Sequence, residues 1–459
     1  MFTTVILILA IVVGLYMAWN IGANDVANAM GTSVGSGALT LKQAIILAGI
    51  FEFLGALVVG GSVAQTIRKG IVDVHALREP AASAAPGPGG ASESAPASRP
   101  AQDGPAVRAP EGDAAEAKRR DPLRAKLMVG MLSALLAAAL WLNVATFFSQ
   151  PVSTTHAIIG AVVGFAVIEA GPGCVVWSKI GKIAASWIIS PMAGGLAAFL
   201  IYRCIQRYVL RARHPVFMAK RAVPLCFGMV AFVLFLSILY KVCHLEFGVR
   251  ELGICLPLAL VVAIATALVA RAVLLRRAPK RGVPRSQRYQ VVEKWFARIQ
   301  PINACYKAFA HGANDVANAI GPLAAVVHMA TGGEIGSKAP VPLWLLAMGG
   351  VGIVVGLATY GYKVMEAVGK KITEITPTRG FGAEFATAST VLVCSVMGLP
   401  ISTTFVLVGA VMGVGLARGF AAIDLRVIRR IFASWLITIP VSALFAAVIY
   451  KLIMIFVAP

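Results

Sequence analysis

Long apolar segments follow one another along almost the whole chain, and this succession restricts its fold more than any other feature. Only 13% of the 459 residues are charged and 58% are hydrophobic, whereas soluble domains average about 25% charged residues. Most segments are long enough to cross the roughly 30 Å core of a bilayer. The pattern predicts an all-α polytopic membrane protein with about twelve apolar segments, near 2–31, 43–66, 127–148, 150–169, 176–202, 223–242, 252–275, 301–328, 341–365, 382–397, 399–417 and 428–457.

The net charge of +21 is explained by the loops and does not indicate a nucleic-acid partner. Cytoplasmic loops of membrane proteins carry an excess of Lys and Arg. This bias predicts an integral multi-pass protein of the plasma (inner) membrane with both termini outside. The N-terminal apolar stretch has no basic n-region and continues into the first motif, so we interpret it as an uncleaved helix. The loops assigned to the cytoplasm are 203–221, 271–298, 363–379 and 418–430.

Two motifs occur twice, in the same order, which indicates two homologous halves. GANDVANA occupies 22–29 and 312–319, and a Pro-x-Ser-Thr-Thr segment occupies 151–155 and 400–404. Each half holds five apolar segments and crosses the membrane an odd number of times. Two central helices keep the number of crossings odd, so the second half starts on the opposite side and has the opposite orientation. Such inverted repeats are common in secondary transporters. The predicted divisions are a first repeat at 1–205, central helices and a cytoplasmic loop at 206–299, and a second repeat at 300–459.

The first half is longer than the second between its two motifs, and one tract explains the excess. Residues 79–120 are rich in Ala, Pro, Ser and Gly and show no hydrophobic periodicity. Such a composition cannot bury a core. We predict a disordered loop insertion with no site of its own.

Each GANDVANA copy places one acid and two amides inside an apolar segment. An acid at the centre of a membrane helix costs roughly 2.5–3.5 kcal/mol, which favours a functional role over hydrogen bonding between helices. Gly22 and Gly31 bracket the first copy and could permit a discontinuous helix, whose free carbonyls would add ligands for a hard cation. Na⁺ would suit such a site, and an acid could instead carry a proton. The candidate cation-binding residues are Asn24, Asp25, Asn28, Asn314, Asp315 and Asn318.

Each Ser-Thr-Thr segment follows a proline and precedes an apolar run, as is typical of a helix N-terminus. Free N–H groups and the helix dipole make such an end an anion site, although simple helix capping is the alternative. The short segment before each motif and the apolar run after it could form a re-entrant hairpin, with the Ser-Thr-Thr residues at its tip. No Lys or Arg adjoins either tip, so neutral donors would hold a tetrahedral oxyanion between them. The tip residues are Ser153, Thr154, Thr155, Ser402, Thr403 and Thr404.

Three single polar residues are weaker candidates for proton transfer or an auxiliary role. His156 follows the first tip, but Phe405 stands at the equivalent place after the second. Glu52 also lacks an equivalent partner, and Glu384 could be a hydrated helix end. His311 and Lys307 precede the second GANDVANA, where interfacial positions explain them equally well.

Together the segments GANDVANA, HGANDVANAIGP, QPVSTTH and GLPISTT resemble the signatures of the inorganic phosphate transporter (PiT) family. The resemblance implies cation-coupled phosphate symport by alternating access, inverted repeats and a homodimer. It also implies that Asp25, Asn28, Asp315, Asn318 and the two tips contact phosphate and cations. The family includes Na⁺-coupled and H⁺-coupled members, and some relatives carry sulfate.

Two other classes of function are compatible with parts of the sequence. An intramembrane hydrolase could use the two aspartates as a dyad, but each lies in an amide-rich repeat that offers no nucleophile–base pair. A passive anion channel would carry the substrate without a cation gradient. We therefore expect a transporter that is not an enzyme, with no cofactor and with Na⁺ or H⁺ as its coupling ion.

Overall fold

In the computed structural model, the chain forms α-helices joined mostly by short connections. The structure describes residues 2–35, 38–68, 71–73, 111–148, 152–242, 249–276, 284–334, 340–361, 376–419 and 425–457. Within these ranges it does not describe the side chains of 26–28, 32, 35, 68, 111–121, 242, 249–252, 425–432, 434, 435 and 457. The α-helices in these ranges are α1 (Phe2–Gly35), α2 (Leu41–Val58), α3 (Gly61–Arg68), α4 (Glu111–Phe147), α5 (Thr154–Ala170), α6 (Trp177–Ile205), α7 (Pro215–Val242), α8 (Val249–Arg276), α9 (Arg288–Ala297), α10 (Gln300–Ala330), α11 (Leu343–Gly356), α12 (Pro377–Val396), α13 (Thr403–Arg418) and α14 (Leu425–Val457).

Eight helices in the described part of the chain are long and apolar enough to cross a membrane. The prediction of an all-α polytopic membrane protein is therefore confirmed. Each of the apolar segments expected from the sequence overlaps a helix, although α10 and α12, which carry buried polar residues, are not among the eight. Helices α5 and α13 are apolar but shorter. The eight spans are Phe2–Gly31, Leu41–Val58, Pro122–Phe147, Trp177–Leu210, Pro215–Lys241, Gly253–Arg276, Leu343–Gly361 and Leu436–Phe456.

Helices α1 and α10, which carry the octapeptides, run unbroken through their motifs. The predicted break between Gly22 and Gly31 is therefore wrong. Gly22 instead permits a close crossing with α11, where an added Cβ would lie 1.9 Å from the carbonyl oxygen of Ile353. From the other side, a Cβ on Gly356 would lie 1.9 Å from the carbonyl oxygen of Trp19. The glycines let two backbones touch without interrupting either helix.

The second octapeptide makes the corresponding crossing between α10 and α2. A Cβ on Gly312 would lie 2.1 Å from the carbonyl oxygen of Glu52, and one on Gly55 would lie 2.0 Å from that of Phe309. Equivalent positions of the two motifs thus contact a helix that belongs to the other predicted half. These crossings fix which residues of α2 and α11 face the polar residues of the motifs.

Both Ser-Thr-Thr segments form helix N-termini, as predicted. The Ser153 hydroxyl accepts a hydrogen bond from the His156 N–H at 3.2 Å at the start of α5. Ser402 caps α13 in the same way, with 3.4 Å to the Phe405 N–H. Both serines are buried, so the two helices begin inside the protein. The tips differ in the helix before them, because α4 contains a full apolar span and α12 does not.

The predicted insertion at 79–120 lies mostly outside the described residues. Its last ten residues form the start of α4, which begins at Glu111, so the predicted end of the disordered tract is wrong there. The segment 111–120 is rich in Ala, Glu, Lys and Arg, which favour helix. The domain boundaries at 205 and 299 stay predictions.

The central segment contains one element that the sequence analysis missed. Helix α9 lies in the loop assigned to the cytoplasm and buries Val292, Trp295 and Phe296 against its neighbours. Its Glu293 accepts hydrogen bonds from the backbone N–H and the hydroxyl of Thr378, at 2.9 and 2.8 Å. This contact fixes the N-terminus of α12, which carries Glu384 into the interior.

Candidate functional site

A row of polar side chains follows one face of α10. Asn303, Lys307, His311 and Asp315 are spaced by four residues, which places them on the same face of a helix. None is more than 4% exposed. Lys307 and His311 are therefore buried inside the protein and not exposed at its surface. The i,i+4 spacing was the signal in the sequence that could have found them.

Asp315 is the centre of a hydrogen-bond network at the second octapeptide. Its Oδ1 accepts from the side-chain amides of Asn314 at 3.0 Å and Asn318 at 3.3 Å. Its Oδ2 accepts from the Thr403 hydroxyl at 3.0 Å and lies 2.8 Å from Nε2 of His311. One buried carboxylate thus joins the second motif to the second tip.

The first tip is attached to the same network through Asn318. The Asn318 amide donates to the hydroxyls of Thr154 at 3.1 Å and Thr155 at 3.2 Å. Thr155 in turn donates to the carbonyl of Ile401 at 3.0 Å, and Asn314 donates to that carbonyl at 2.8 Å. The structure therefore brings both predicted tips to one place, against the second GANDVANA.

The first octapeptide contributes Asp25, which is 1% exposed. Thr154 hydrogen-bonds its carboxylate, which repeats at the first tip the contact between Thr403 and Asp315. One ligand atom each from Asp25, His311 and Asp315 lies within 4.8 Å of the other two. The two predicted acids thus meet across the halves of the chain.

The amides of the first motif are less clearly part of the site. Asn24 is buried, but its amide donates to the Thr146 hydroxyl on α4 at 2.8 Å, which is a contact between helices. The side chain of Asn28 lies outside the described residues. Of the six residues predicted to bind cations, four are therefore placed together by the structure: Asp25, Asn314, Asp315 and Asn318.

His311 lies between two acids that belong to different helices. Its Nδ1 is 3.2 Å from Glu52 Oε1 on α2, and its Nε2 is 2.8 Å from Asp315 Oδ2. In the sequence, no acid in the second half corresponds to Glu52. In the structure, the carboxylate of Glu52 contacts His311. Because Gly55 and Gly312 let α2 cross α10 closely, the carboxylate of Glu52 reaches the polar row.

The other two auxiliary candidates are also buried. Glu384 is fully buried and accepts from the Asn303 amide at 3.1 Å, so the interpretation of a hydrated helix end is wrong. His156 packs edge-on against Trp187, with ring centroids 3.8 Å apart, and against Phe405 at 4.4 Å. Its ring nitrogens have no hydrogen-bond partner among the described residues, so it lies behind the tips as an aromatic packing group.

The donor types define what the site can hold. Carboxylate and amide oxygens suit a hard cation, and a histidine beside two acids suits proton transfer. Hydroxyls and free N–H groups at two helix N-termini suit an oxyanion. The tip residues, including Thr404, are at most 7% exposed, so the site is closed to solvent.

A closed polar site between crossing helices of a multi-pass membrane protein is the arrangement of a membrane transporter. The profile of the Phosphate transporter family matches residues 21–87 and 114–446, and the chain belongs to this family. Residues 88–113, which lie between the two matched stretches, belong to the predicted insertion. This match confirms the resemblance that the repeated motifs indicated.

Individual relatives cover nearly the whole chain. It is 45% identical to the "Putative phosphate permease" of Pyrococcus abyssi over 97% of this chain and 98% of that one. It is 40% identical to the chloroplastic "Inorganic phosphate transporter 2-1" of Arabidopsis thaliana over 95% of this chain and 70% of that one. A solved structure named "The sodium-dependent phosphate transporter" matches with a TM-score of 0.82 and 36% identity, over 98% and 99% of the two chains.

Proposed function

We propose that this phosphate transporter is a symporter that couples inorganic phosphate to Na⁺ by alternating access. The observation that carries the proposal is the direct hydrogen bond from the Thr403 hydroxyl to Asp315. It joins a group suited to phosphate with a group suited to a cation. The sodium-dependent relative supports Na⁺ over H⁺ as the coupling ion.

The hydrogen bonds at the tips suggest how the two ligands would be coupled. In this structure the hydroxyls of Thr154 and Thr403 are engaged with the carboxylates of Asp25 and Asp315. Phosphate oxygens between the tips would replace the carboxylates as acceptors. Each carboxylate would then lose its hydroxyl donor, and a cation that binds the carboxylate would compensate for that loss at a buried charge. Phosphate and cations would therefore enter and leave together.

The decisive experiment measures uptake of radiolabelled phosphate into proteoliposomes with Na⁺ and proton gradients imposed separately. We expect phosphate to accumulate inside above its equilibrium concentration when an inward Na⁺ gradient is imposed. A proton gradient that drives uptake in the absence of Na⁺ would replace Na⁺ by H⁺ as the coupling ion. Uptake that only equilibrates phosphate would identify a passive channel, and preferential competition by sulfate would identify a related oxyanion permease. The proposal includes no cofactor and no enzymatic step.

Removing one tip hydroxyl should weaken phosphate binding without abolishing it. In Thr154→Val or Thr403→Val we expect a loss of about 0.5–3 kcal/mol in phosphate affinity, because one donor to a charged ligand disappears. Phosphate affinity in Na⁺-saturated proteoliposomes measures it. Thr266→Val is a matched control on α8, where the hydroxyl only donates to the Val262 carbonyl at 2.8 Å. Unchanged affinity in both tip variants would place the substrate elsewhere.

The predicted insertion should be dispensable for transport. Deletion of 88–110 removes most of the segment that the family profile leaves unmatched and stops before α4 at Glu111. The remaining residues 74–87 can still extend over about 45–50 Å. We expect phosphate uptake close to that of the full chain. A correctly inserted deletion protein without uptake would give the segment a part in the mechanism.

We also propose that both termini are outside an inner membrane and that the loop at 271–298 is cytoplasmic. Single cysteines at Arg281 and Pro459, in a background without other cysteines, should then be labelled by a membrane-impermeant reagent from opposite sides. Labelling of both from one side would contradict this topology.

The proposed assembly is a homodimer. Helix α8 packs mainly along α7 and exposes large apolar side chains over its length, among them Ile254, Val261 and Leu268, so lipid or a second copy of the chain would cover this face. Light scattering of the purified protein in detergent measures the mass directly. A monomer at all concentrations tested would contradict the dimer.

A further inference from the structure

Trp187 on α6 contacts the chain beside both tips. Its indole N–H donates to the Pro400 carbonyl at 3.1 Å, and Pro400 lies just before Ser402, which begins the second tip. The ring of Trp187 packs edge-on against that of His156, with centroids 3.8 Å apart, and His156 directly follows the first tip. A single half-buried side chain therefore links the end of one tip to the start of the other.

The loop at 398–401, which leads into the second tip, is held by donors from the first predicted half of the chain. The Gly398 carbonyl accepts from the Thr66 hydroxyl on α3 at 2.7 Å, and the Ile401 carbonyl accepts from the first tip, as described above. Together with the bond from Trp187, carbonyls of this loop are thus bound from α3, α5 and α6. Because the free N–H groups at the start of α13 follow directly, these bonds determine where those groups point.

Helix α6 is a rigid support for the contact of Trp187, because it lies directly against α13. An added Cβ on Gly409 would lie 2.2 Å from the carbonyl oxygen of Pro191, and one on Gly413 would lie 1.9 Å from that of Gly195. Pro191 follows Trp187 by about one turn of α6. The indole N–H is therefore fixed relative to the helix whose N-terminus forms the second tip.

Trp187 and Thr66 differ from Thr155 because they donate to the loop from outside the tips. The hydroxyl of Thr155 is one of the groups that phosphate would engage, so its bond to Ile401 would be given up when phosphate binds. Trp187 and Thr66 can keep their bonds in the presence of phosphate. An oxyanion held between two helix N-termini must lie about 2.7–3.2 Å from donors on both, so the gap between the tips decides which oxyanion fits.

We propose that Trp187 is a positioning residue that sets the gap between the tips and so fits the site to phosphate rather than to a larger oxyanion. The inference rests on the proposed function, because it concerns how the same substrate is held. Arsenate is the probe for it. Arsenate has the charge and the tetrahedral shape of phosphate and differs from it mainly in its longer bonds to oxygen.

The test compares Trp187→Phe with the unaltered full-length protein in nanodiscs. Phenylalanine keeps an aromatic ring beside His156 but removes the N–H that holds Pro400. We measure equilibrium binding of radiolabelled phosphate at a saturating concentration of the coupling ion, its displacement by arsenate, and the affinity for the coupling ion without phosphate. Phosphate affinity should fall about two- to tenfold, as for one lost hydrogen bond. The preference for phosphate over arsenate should decrease because the gap is less fixed, and the affinity for the coupling ion should not change because Asp25 and Asp315 stay in place.

A second variant and a matched control accompany this substitution. Thr66→Val removes another donor to the loop and should change phosphate affinity and preference in the same direction. Trp177→Phe is the control, because Trp177 lies on the same helix, is 55% exposed and donates its indole N–H to the Pro172 carbonyl at 2.8 Å. It should leave all three measurements unchanged.

A change in the preference between the two oxyanions separates positioning from a general loss of structure. Weaker binding of both phosphate and the coupling ion, with a lower unfolding temperature, would show a structural role and overturn the inference. Unchanged phosphate affinity in Trp187→Phe would overturn it as well, and so would a lower affinity with an unchanged preference. If the unaltered protein binds no phosphate, the proposed function itself fails; if it binds phosphate and Trp187→Phe binds both oxyanions as the unaltered protein does, only the role of Trp187 fails.

Discussion

Replacing Asp315 with Asn should abolish phosphate uptake, by at least about 100-fold, which corresponds to roughly 2.7 kcal/mol. The carboxylate accepts two amide hydrogen bonds and one hydroxyl hydrogen bond and lies against His311. An amide in its place removes the charge that would hold a cation and turns a donor towards groups that are already donors. Asp25→Asn should have an effect of similar size, because Asp25 meets the same cluster from α1.

The measurement is uptake of radiolabelled phosphate, normalised to the amount of protein in the membrane. Stabilisation of the purified protein by the coupling ion against heat gives a second reading, since a ligand raises stability only where it binds. Glu334→Gln makes the same chemical change at an exposed position after α10 and should leave both readings unchanged. Near-normal uptake in both aspartate variants would remove the carboxylates from the coupled site.

The parts of the site that the sequence predicted are those that occur twice. A repeated acid in an apolar segment cannot be explained by packing alone, and both Asp25 and Asp315 are found in one cluster. Ser153 and Ser402 were recognisable as helix starts because capping is a local property of the chain. Local patterns and repeats thus located the acids and both tips.

The contacts of Glu52 and His311 were out of reach of the sequence. They depend on α2 crossing α10 at Gly55 and Gly312, and a crossing point is set by packing between segments more than 250 residues apart. The same dependence on packing explains the contact of Asn24. This residue has the position of Asn314 in the repeated motif, but its amide donates to Thr146 on α4. Identical motifs received different partners because the two halves offer them different neighbours.

The helix break was predicted wrongly for a related reason. Glycine both weakens a helix and lets another backbone approach, and the sequence alone does not say which effect applies. The structure uses Gly22 for approach, because the apolar residues around it sustain α1 and because α11 lies directly against it. Tertiary packing decided between two properties of one residue.

Replacing Gly312 with Ala should therefore damage both stability and transport. The new Cβ would lie 2.1 Å from the carbonyl oxygen of Glu52, and this oxygen belongs to a helix backbone that cannot turn aside. Relief requires α2 to move away from α10, which we expect to destabilise the protein by about 1–3 kcal/mol or more. The same movement would withdraw the Glu52 carboxylate from His311, so uptake should fall by more than about tenfold even in protein that remains folded.

The control for this substitution is Gly253→Ala in α8, where an added Cβ meets nothing within 4 Å. Alanine favours a helix over glycine by about 0.5–1 kcal/mol, so this variant should be as stable as the original chain or more so. Thermal unfolding in detergent and phosphate uptake together measure both variants. If Gly312→Ala unfolds and transports like Gly253→Ala, the crossing of α2 and α10 is looser than the structure shows. If it transports normally but unfolds earlier, the crossing supports the fold without positioning Glu52, and the link from packing to the polar row would be contradicted.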